Sequence, residues 1–193
     1  MENKQDINEN LPKKSNKKNN LISEIFSWVK AILIAVILSF LVTKFVIINA
    51  KVPTPSMVNT INVGDRFIGN RLAYLLKEPE RYDIVVFKYP DDNKTLFVKR
   101  IIGLPGETVE IIDGKVYING SQEPLRDDFL PEPMAKEDYG PYEVPEGHYF
   151  MLGDNRNHSE DSRFWENKYV DKKQILGKAT FKYFPKFENL TKK

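Results

Sequence analysis

The 193 residues are enough for one domain of ordinary size plus an anchor, and their charges nearly cancel: 29 Lys and Arg against 27 Asp and Glu, a net of +2. Residues 1–50 hold seven lysines and four acids, so the remaining 143 residues carry 22 basic and 23 acidic side chains. A nucleic-acid binder would need a basic stripe there, and none is expected. There is no cysteine and there are only two histidines, which excludes disulfides, thiolate metal sites and cysteine nucleophiles and leaves little for a histidine metal centre.

Residues 1–24 are Asn- and Lys-rich, almost without apolar groups as far as residue 20, and read as a disordered, solvated tail. The segment from Ile25 to Ile48 is apolar apart from Lys30 and Lys44. Its uninterrupted part, Ala31–Thr43, is 13 residues, short of the roughly 20 that a spanning helix needs. The two lysines, however, sit one near each end and can extend their stems toward the nearer interface. At about 1.5 Å per residue the whole segment covers about 36 Å, so one transmembrane helix is expected over 25–48. A cleaved secretion signal would offer small residues after its apolar core, whereas Thr43-Lys44-Phe45-Val46-Ile47-Ile48 is bulky and charged. Lys13, Lys14, Lys17 and Lys18 place the N-terminus in the cytoplasm by the positive-inside rule, with the rest extracytoplasmic. A second apolar span is absent, which reads as single-pass.

Val52-Pro53-Thr54-Pro55-Ser56-Met57 follows. Each proline ring fixes its own φ and biases the preceding residue to extended geometry, so Ser56 sits on a stiff segment. Two readings compete here, a stalk between anchor and domain and a nucleophile presented near the bilayer. Eight residues separate Ile48 from Ser56, a span of at most about 28 Å.

Beyond this come short segments of strand character. They are Val63–Ile68, Tyr82–Phe87 ending at Pro90-Asp91-Asp92-Asn93, and Leu96–Ile102 returning as a hairpin partner. Val109–Ile112 and Lys115–Ile118 flank Asp113-Gly114, the signature of a type I′ hairpin. Residues 121–147 hold five prolines and read as a long surface excursion. His148–Leu152 is a strand, 153–163 a polar loop, and Ile175–Phe184 a closing strand ended by Pro185. The expected fold is all-β. An antiparallel catalytic domain is formed by 49–106 and 148–193, with a smaller β-insertion at 107–147 and one N-terminal transmembrane helix.

Two stretches could carry chemistry. In Leu96–Ile102, strand alternation puts Phe97, Lys99 and Ile101 on one face and Leu96, Val98, Arg100 and Ile102 on the other. A lysine among apolar groups loses hydration of its charged form, and its pKa falls toward the range of a general base. Arginine stays protonated, so Lys99 is the base of this pair or neither is. The competing reading has both cations snorkel from an edge strand. The second stretch is Gly153-Asp154-Asn155-Arg156-Asn157-His158-Ser159-Glu160-Asp161-Ser162-Arg163. As a calcium loop it lacks the ligand spacing and the sixth-position glycine. As a Ser-His-Asp triad it would have His158 as its one plausible base, and as a support shell its hydroxyls and carboxylates would orient a base from another strand.

Pro53–Met57, Gly64-Asp65-Arg66, Arg81–Phe87, Val98–Gly106, and Gly153–Arg156 with Ser159–Arg163 occur in an order and spacing that resembles the bacterial type I signal peptidases. These are plasma-membrane Ser-Lys endopeptidases that release exported proteins from their leader peptides. The resemblance spans about residues 25–185. It implies Ser56 as nucleophile, Lys99 as general base, and the Ser56 N–H and Thr54 hydroxyl as oxyanion donors. It further implies Ser159 as the hydroxyl orienting the lysine, and Asp161 with Arg163 as an ion pair stiffening the loop, with Asp154 as its acidic partner. Val52, Pro53, Phe97 and Val98 would line pockets for small residues at the first and third positions before the cut. It implies preprotein signal peptides and the lipid bilayer as partners and neither metal nor organic cofactor, and it sets no oligomeric state. Three positions depart from the family's pattern. Asn59 replaces a usual Pro three residues after the nucleophile and would loosen that turn, Glu107 replaces a common Asp, and Glu166 a common Gly. A Ser-Lys protease for dedicated surface-protein substrates and an inactive membrane-anchored β-module that binds secreted partners are the rival readings. Burial of Lys99 near Ser56 would speak against the module.

Overall fold

The computed structural model describes residues 17–191, and residues 1–16, the greater part of the expected tail, lie outside the described residues. The chain divides into two compact units between Leu41 and Val42. The described residues of the first belong to α1, Lys17–Phe45, whose apolar stretch Leu21–Phe45 is long enough to cross a membrane. Lys30 lies over the Phe26 ring, its Nζ 4.8 Å from the centroid, and Lys44 sits in the last turn, where a cation suits the helix C-terminus. The helix begins before the expected Ile25 and stops at Phe45. Val46, Ile47 and Ile48 are β-branched, and Ile47 and Ile48 pair with Asn70 and Gly69 in a sheet instead of continuing the helix.

The second unit carries eleven strands: β1 Ile47–Lys51, β2 Arg66–Asn70, β3 Ile84–Lys88, β4 Leu96–Gly103, β5 Thr108–Ile112, β6 Lys115–Ile118, β7 Tyr139–Glu143, β8 His148–Leu152, β9 Val170–Asp171, β10 Ile175–Phe184 and β11 Glu188–Asn189. All pairings are antiparallel. The larger sheet runs β1-β2-β10-β3-β4-β8-β9, with β11 beside β10, and β6-β5-β7 form a second sheet. The all-β class with a smaller β-layer therefore holds. Strand β10, late in the chain, lies between β2 and β3 and is the element through which the β1–β2 hairpin joins the rest of the sheet.

β3 is the middle of the packing. Ile84 and Val86 face one apolar cluster with Val52, Met57, Ile61 and Phe67, while Val85 and Phe87 face another with Ile101, Tyr149, Met151 and Trp165. Because both faces are covered, its sequence is a continuous apolar run without alternation. The strand starts two residues later than expected, since Tyr82 takes a φ of 71°, outside any strand. β4 lies between β3 and β8, so neither of its cations is at a sheet edge. The Asp113-Gly114 turn has φ values of 51° and 77°, as type I′ requires. β7 falls inside what the sequence presents as a surface excursion. It contains Pro141 and pairs only with β5, an edge position where a missing N–H is tolerated.

The two sheets meet closely at Gly103. A Cβ there would lie 2.6 Å from Val109 Cγ2 and 2.9 Å from both Phe150 Cβ and Val144 Cγ2. Gly103→Ala should therefore destabilise the fold by about 1–3 kcal/mol. Thermal unfolding of the full chain in detergent checks this, with a midpoint lowered by several degrees expected and an unchanged midpoint counting against the close packing.

Candidate active site

Ser56 is held by a segment that the core fixes from both ends. Val52 N–H donates to Asp65 O at 3.0 Å and Gly64 N–H to Val52 O at 2.9 Å, tying the strand exit of β1 to the entry of β2. Thr54 is extended and precedes a 3₁₀ turn, Pro55–Met57, with Pro55 at its first position, where a proline is suited. Thr54 is exposed, and its hydroxyl makes no capping bond to the turn. Ser56 is 7% exposed and Met57 1%, and Ile61 N–H returns to Met57 O at 2.7 Å. This is a packed turn, not a stalk. Asn59 takes a φ of 81°, which a proline ring cannot adopt and an asparagine tolerates. Its side-chain amide donates to Phe129 O at 3.1 Å, so the position expected to loosen the turn instead ties it to the segment following the small sheet's hairpin.

Lys99 and Arg100 are both buried, at 4% and 5% exposure, on opposite faces of β4. Lys99 shares its face with Phe97, its Nζ 5.7 Å from the ring centroid. Burial pushes its pKa down from 10.5 to about 8. Asp161, Asp154 and Glu160 pull the other way, and the Arg163 cation adds to the fall. That change removes about 3 kcal/mol of preference for the charged form. The snorkelling alternative is thereby discarded, because neither cation reaches solvent at a sheet edge.

The loop 153–163 is polar in composition yet buried at Gly153, Asp154, Asn155, Arg156, Ser159, Asp161, Ser162 and Arg163. In the β4–β8 register Arg100 faces Leu152, so the chain continuing from β8 brings Gly153 level with Lys99. Gly153 also abuts the Ser56 turn. A Cβ there would overlap Ser159 Oγ and stand 2.5 Å from Ser56 O, an approach only glycine permits. Asn155 locks the same contact, donating its N–H to Ser56 O at 3.0 Å and its side-chain amide to Pro55 O at 3.1 Å. The Ser56 turn thus packs against both β4 and the loop.

Two carboxylates are taken by two arginines. Asp161 takes Arg163 in a bidentate pair, Nε to Oδ1 at 2.8 Å and Nη2 to Oδ2 at 2.9 Å, and accepts Gly153 N–H at 3.1 Å. Asp154 does not join that pair. It accepts Arg100 bidentately, at 2.7 Å from Nε and 2.6 Å from Nη2, and the Thr60 hydroxyl at 2.5 Å. Arg100 and Thr60 are thus the partners that sequence reasoning missed. The readable signal was the second buried-looking cation of the strand, although its partner lies 54 residues away. Ser159 Oγ is buried and finds no hydrogen-bond partner among the described protein groups, so the bond to Lys99 implied for it is not formed here.

Of the expected pocket residues, Val52 and Val98 pack in one apolar cluster and Phe97 in another, beside Tyr89 and Trp165, while Pro53 is exposed. Glu107 reaches back to Arg81 Nη2 at 2.5 Å and Leu104 N–H at 2.7 Å, and Glu166 N–H bonds Asp91 at 3.1 Å, both away from Ser56. Among the described residues no group of three His, Cys, Asp or Glu is placed to hold a metal ion.

Comparison with known proteins agrees with this architecture. Residues 25–184 match the family described as signal peptidase, peptidase S26. A signal peptidase I of Bacillus licheniformis is 41% identical over 180 residues, covering 90% of this chain and 94% of its own length. A probable signal peptidase I-2 of a Synechocystis strain is 38% identical over 187 residues, covering 93% of this chain and 83% of its own. Signal peptidase I S of Bacillus subtilis is 38% identical over 171 residues, covering 83% of this chain and 90% of its own. With most of the described β unit and the apolar helix inside the matched span, the chain belongs to the signal peptidase family, the S26 serine peptidases.

Proposed function

We propose that this peptidase cleaves N-terminal signal peptides from exported preproteins after small residues of the Ala-x-Ala type, through an acyl-enzyme on Ser56 with Lys99 as general base. The observation that carries the reading is Lys99, an amine whose pKa is lowered to about 8 by burial on the strand against which the Ser56 turn packs. A binding module has no use for the several kcal/mol that such burial of a lysine costs.

In this mechanism neutral Lys99 takes the Ser56 hydroxyl proton as Oγ attacks the scissile carbonyl carbon. The carbonyl oxygen becomes an oxyanion held by the Ser56 N–H and the Thr54 hydroxyl, which the turn does not use for capping. Collapse breaks the C–N bond, and the Lys99 ammonium returns the proton to the departing amine of the mature chain. A water, deprotonated by the same lysine, then hydrolyses the ester and frees Ser56. Val52, Pro53, Phe97 and Val98 would shape the acceptor pockets, with Phe97 contributing from the face that Lys99 occupies. The helix holds the enzyme in the membrane. The N-terminus would be cytoplasmic and the β body would work on the outer side, where leader peptides emerge.

The protonation sign is definite. A folded-state pKa of about 8 means that the base form grows as pH rises through 8, so kcat/KM should climb about tenfold per pH unit below it and level off above. Lys99→Arg keeps the charge and loses the neutral form, and it should be as inactive as Ser56→Ala on a model preprotein. A flat profile, or appreciable cleavage by the arginine variant, would sink the general-base role.

Ser159→Ala separates activity from stability. The hydroxyl it removes is buried and unpartnered, so the unfolding midpoint should hold or rise. Turnover should fall if the hydroxyl meets the lysine during catalysis, and unchanged turnover would remove Ser159 from the site.

A further inference from the structure

We infer that Lys182 is a positioning residue for the reaction. From β10 it holds the loop that follows Ser56, through Thr60 O and Asp65, and so fixes the Ser56 turn against the Asp154 segment that is tied to the Lys99 strand. The inference rests on the proposed roles of Ser56 and Lys99.

Simple alternation along β10 would put Lys182 with Lys178 and Thr180, on the face opposite Ala179. The pairing with β2 breaks that alternation. Ala179 pairs with Gly69 and Phe181 with Ile68, so Thr180 is an extra residue on the β10 side. Lys182 then pairs with Phe67 and shares the face of Phe67 and Ala179, which pack with Met57 and Ile61. A bulge of this kind re-aims the side chains beyond it, because a slip of one residue moves each to the other face. Both polar groups that Thr180 could spare are used to hold it. Its hydroxyl donates to Ile68 O at 2.8 Å, and its carbonyl accepts Leu190 N–H at 2.9 Å. The strand thus turns a lysine inward, to 6% exposure, where alternation would have left it outside.

In such surroundings a lysine without a partner acid loses affinity for its proton, as Lys99 does. Lys182 keeps it. Burial works to lower its pKa, but Nζ donates to Glu188 Oε2 at 2.9 Å and to Asp65 Oδ2 at 3.2 Å, and these bonds raise it above the ordinary 10.5. The third contact of Nζ is Thr60 O, at 3.4 Å.

Thr60 has every polar group engaged. Its N–H donates to Met57 O at 3.1 Å, beside Ser56, and its hydroxyl donates to Asp154 Oδ2 at 2.5 Å. Asp154 in turn holds Arg100, the neighbour of Lys99. Asp65 closes the root of the same loop, its carbonyl accepting Val52 N–H at 3.0 Å and its carboxylate Asn62 N–H at 2.9 Å. One ammonium therefore grips the loop at Thr60 and at its base. Without it Asp65 is a buried charge short of its cation, Thr60 O is released, and the Ser56 turn can shift against β4.

The test compares cleavage of a model preprotein by full-length variants in detergent, well below every unfolding midpoint. Lys182→Met should lower kcat about ten- to hundredfold with KM within about threefold of wild type. Lys182→Arg keeps a charged donor and should recover most of that loss. Thr60→Val cuts the same link at its other end, leaves the pairs of Lys182 intact and should reproduce the fall in kcat, so it carries the test if Lys182→Met does not fold. Lys178→Met is the matched control. It removes another cation bonded to a buried acid from β10, Nζ to Asp83 Oδ1 at 2.6 Å, on the opposite face of the strand. It should lower the unfolding midpoint and leave kcat at the wild-type value. The midpoint of the pH profile should not move in Lys182→Met. Wild-type kcat in folded Lys182→Met or in Thr60→Val would overturn the inference, as would an equal loss in Lys178→Met. A displaced pH midpoint would overturn it too, because Lys182 would then act on the charge of Lys99 and not on the place of Ser56. Ser56→Ala in the same assay separates the two proposals. If it is inactive while Lys182→Met and Thr60→Val are fully active, this inference alone fails; if it is active, the mechanism fails and the inference with it.

Discussion

Two adjacent cations on one strand, both removed from water, set the terms for their surroundings. A buried charge must be neutralised by a partner or give up its proton. Arg100 cannot deprotonate, and it receives both oxygens of Asp154. Asp161 acts on Lys99 through space and offsets part of the effect of burial, but both its oxygens are hydrogen-bonded to Arg163. The arginines take the carboxylates by bidentate geometry, which a point-charge ammonium cannot match, and the lysine is left as the group whose charge is dispensable. Two acids are thus taken by two arginines, and Lys99 makes no ion pair of its own among the described residues.

The same division welds the site together. Asp154 reaches Thr60, just past the nucleophile turn, as well as Arg100, next to the lysine. Gly153 and Asn155, on either side of it, lie on Ser56 O. A segment of three consecutive residues therefore touches the Ser56 turn and the Lys99 strand at once. Ser162 extends the clamp into the sheet, its hydroxyl accepting Met151 N–H at 2.8 Å. Apart from the Ser159 hydroxyl, the buried side chains of this loop are hydrogen-bonded, and each lost bond would strand a buried group.

Local signals were legible where one short segment carried them. The Asp113-Gly114 hairpin and the alternation of β4 depend on nearest neighbours, and they emerge as read, whereas the apolar helix runs Lys17–Phe45 in place of the expected 25–48. What the sequence concealed depends on partners far along the chain. β1 hides inside the apolar run, because β-branched residues after a helix read as more helix until Gly69 and Asn70 arrive to pair with them. β7 hides behind Pro141, which is harmless only at an edge that the sequence does not reveal. The loop 153–163 has the composition of a solvated connection and is instead an interior wall, since its ionic partners satisfy one another. The resemblance supplied candidate roles, but it assigned Asp154 to the wrong arginine. Alternation had placed Arg100 on its own face without saying what awaited it there.

The place of β10 in the sheet bears on when this enzyme can exist at all. The hairpin β1–β2, which delivers Ser56, and the pair β3–β4, which delivers Lys99, share no strand pairing with each other, and β10 supplies the join from residues 175–184. A chain grown only to residue 174 holds both Ser56 and Lys99 and still lacks the strand that seats them in one sheet. The Ser56 turn and the Lys99 strand come to share one sheet only once that late strand is in place.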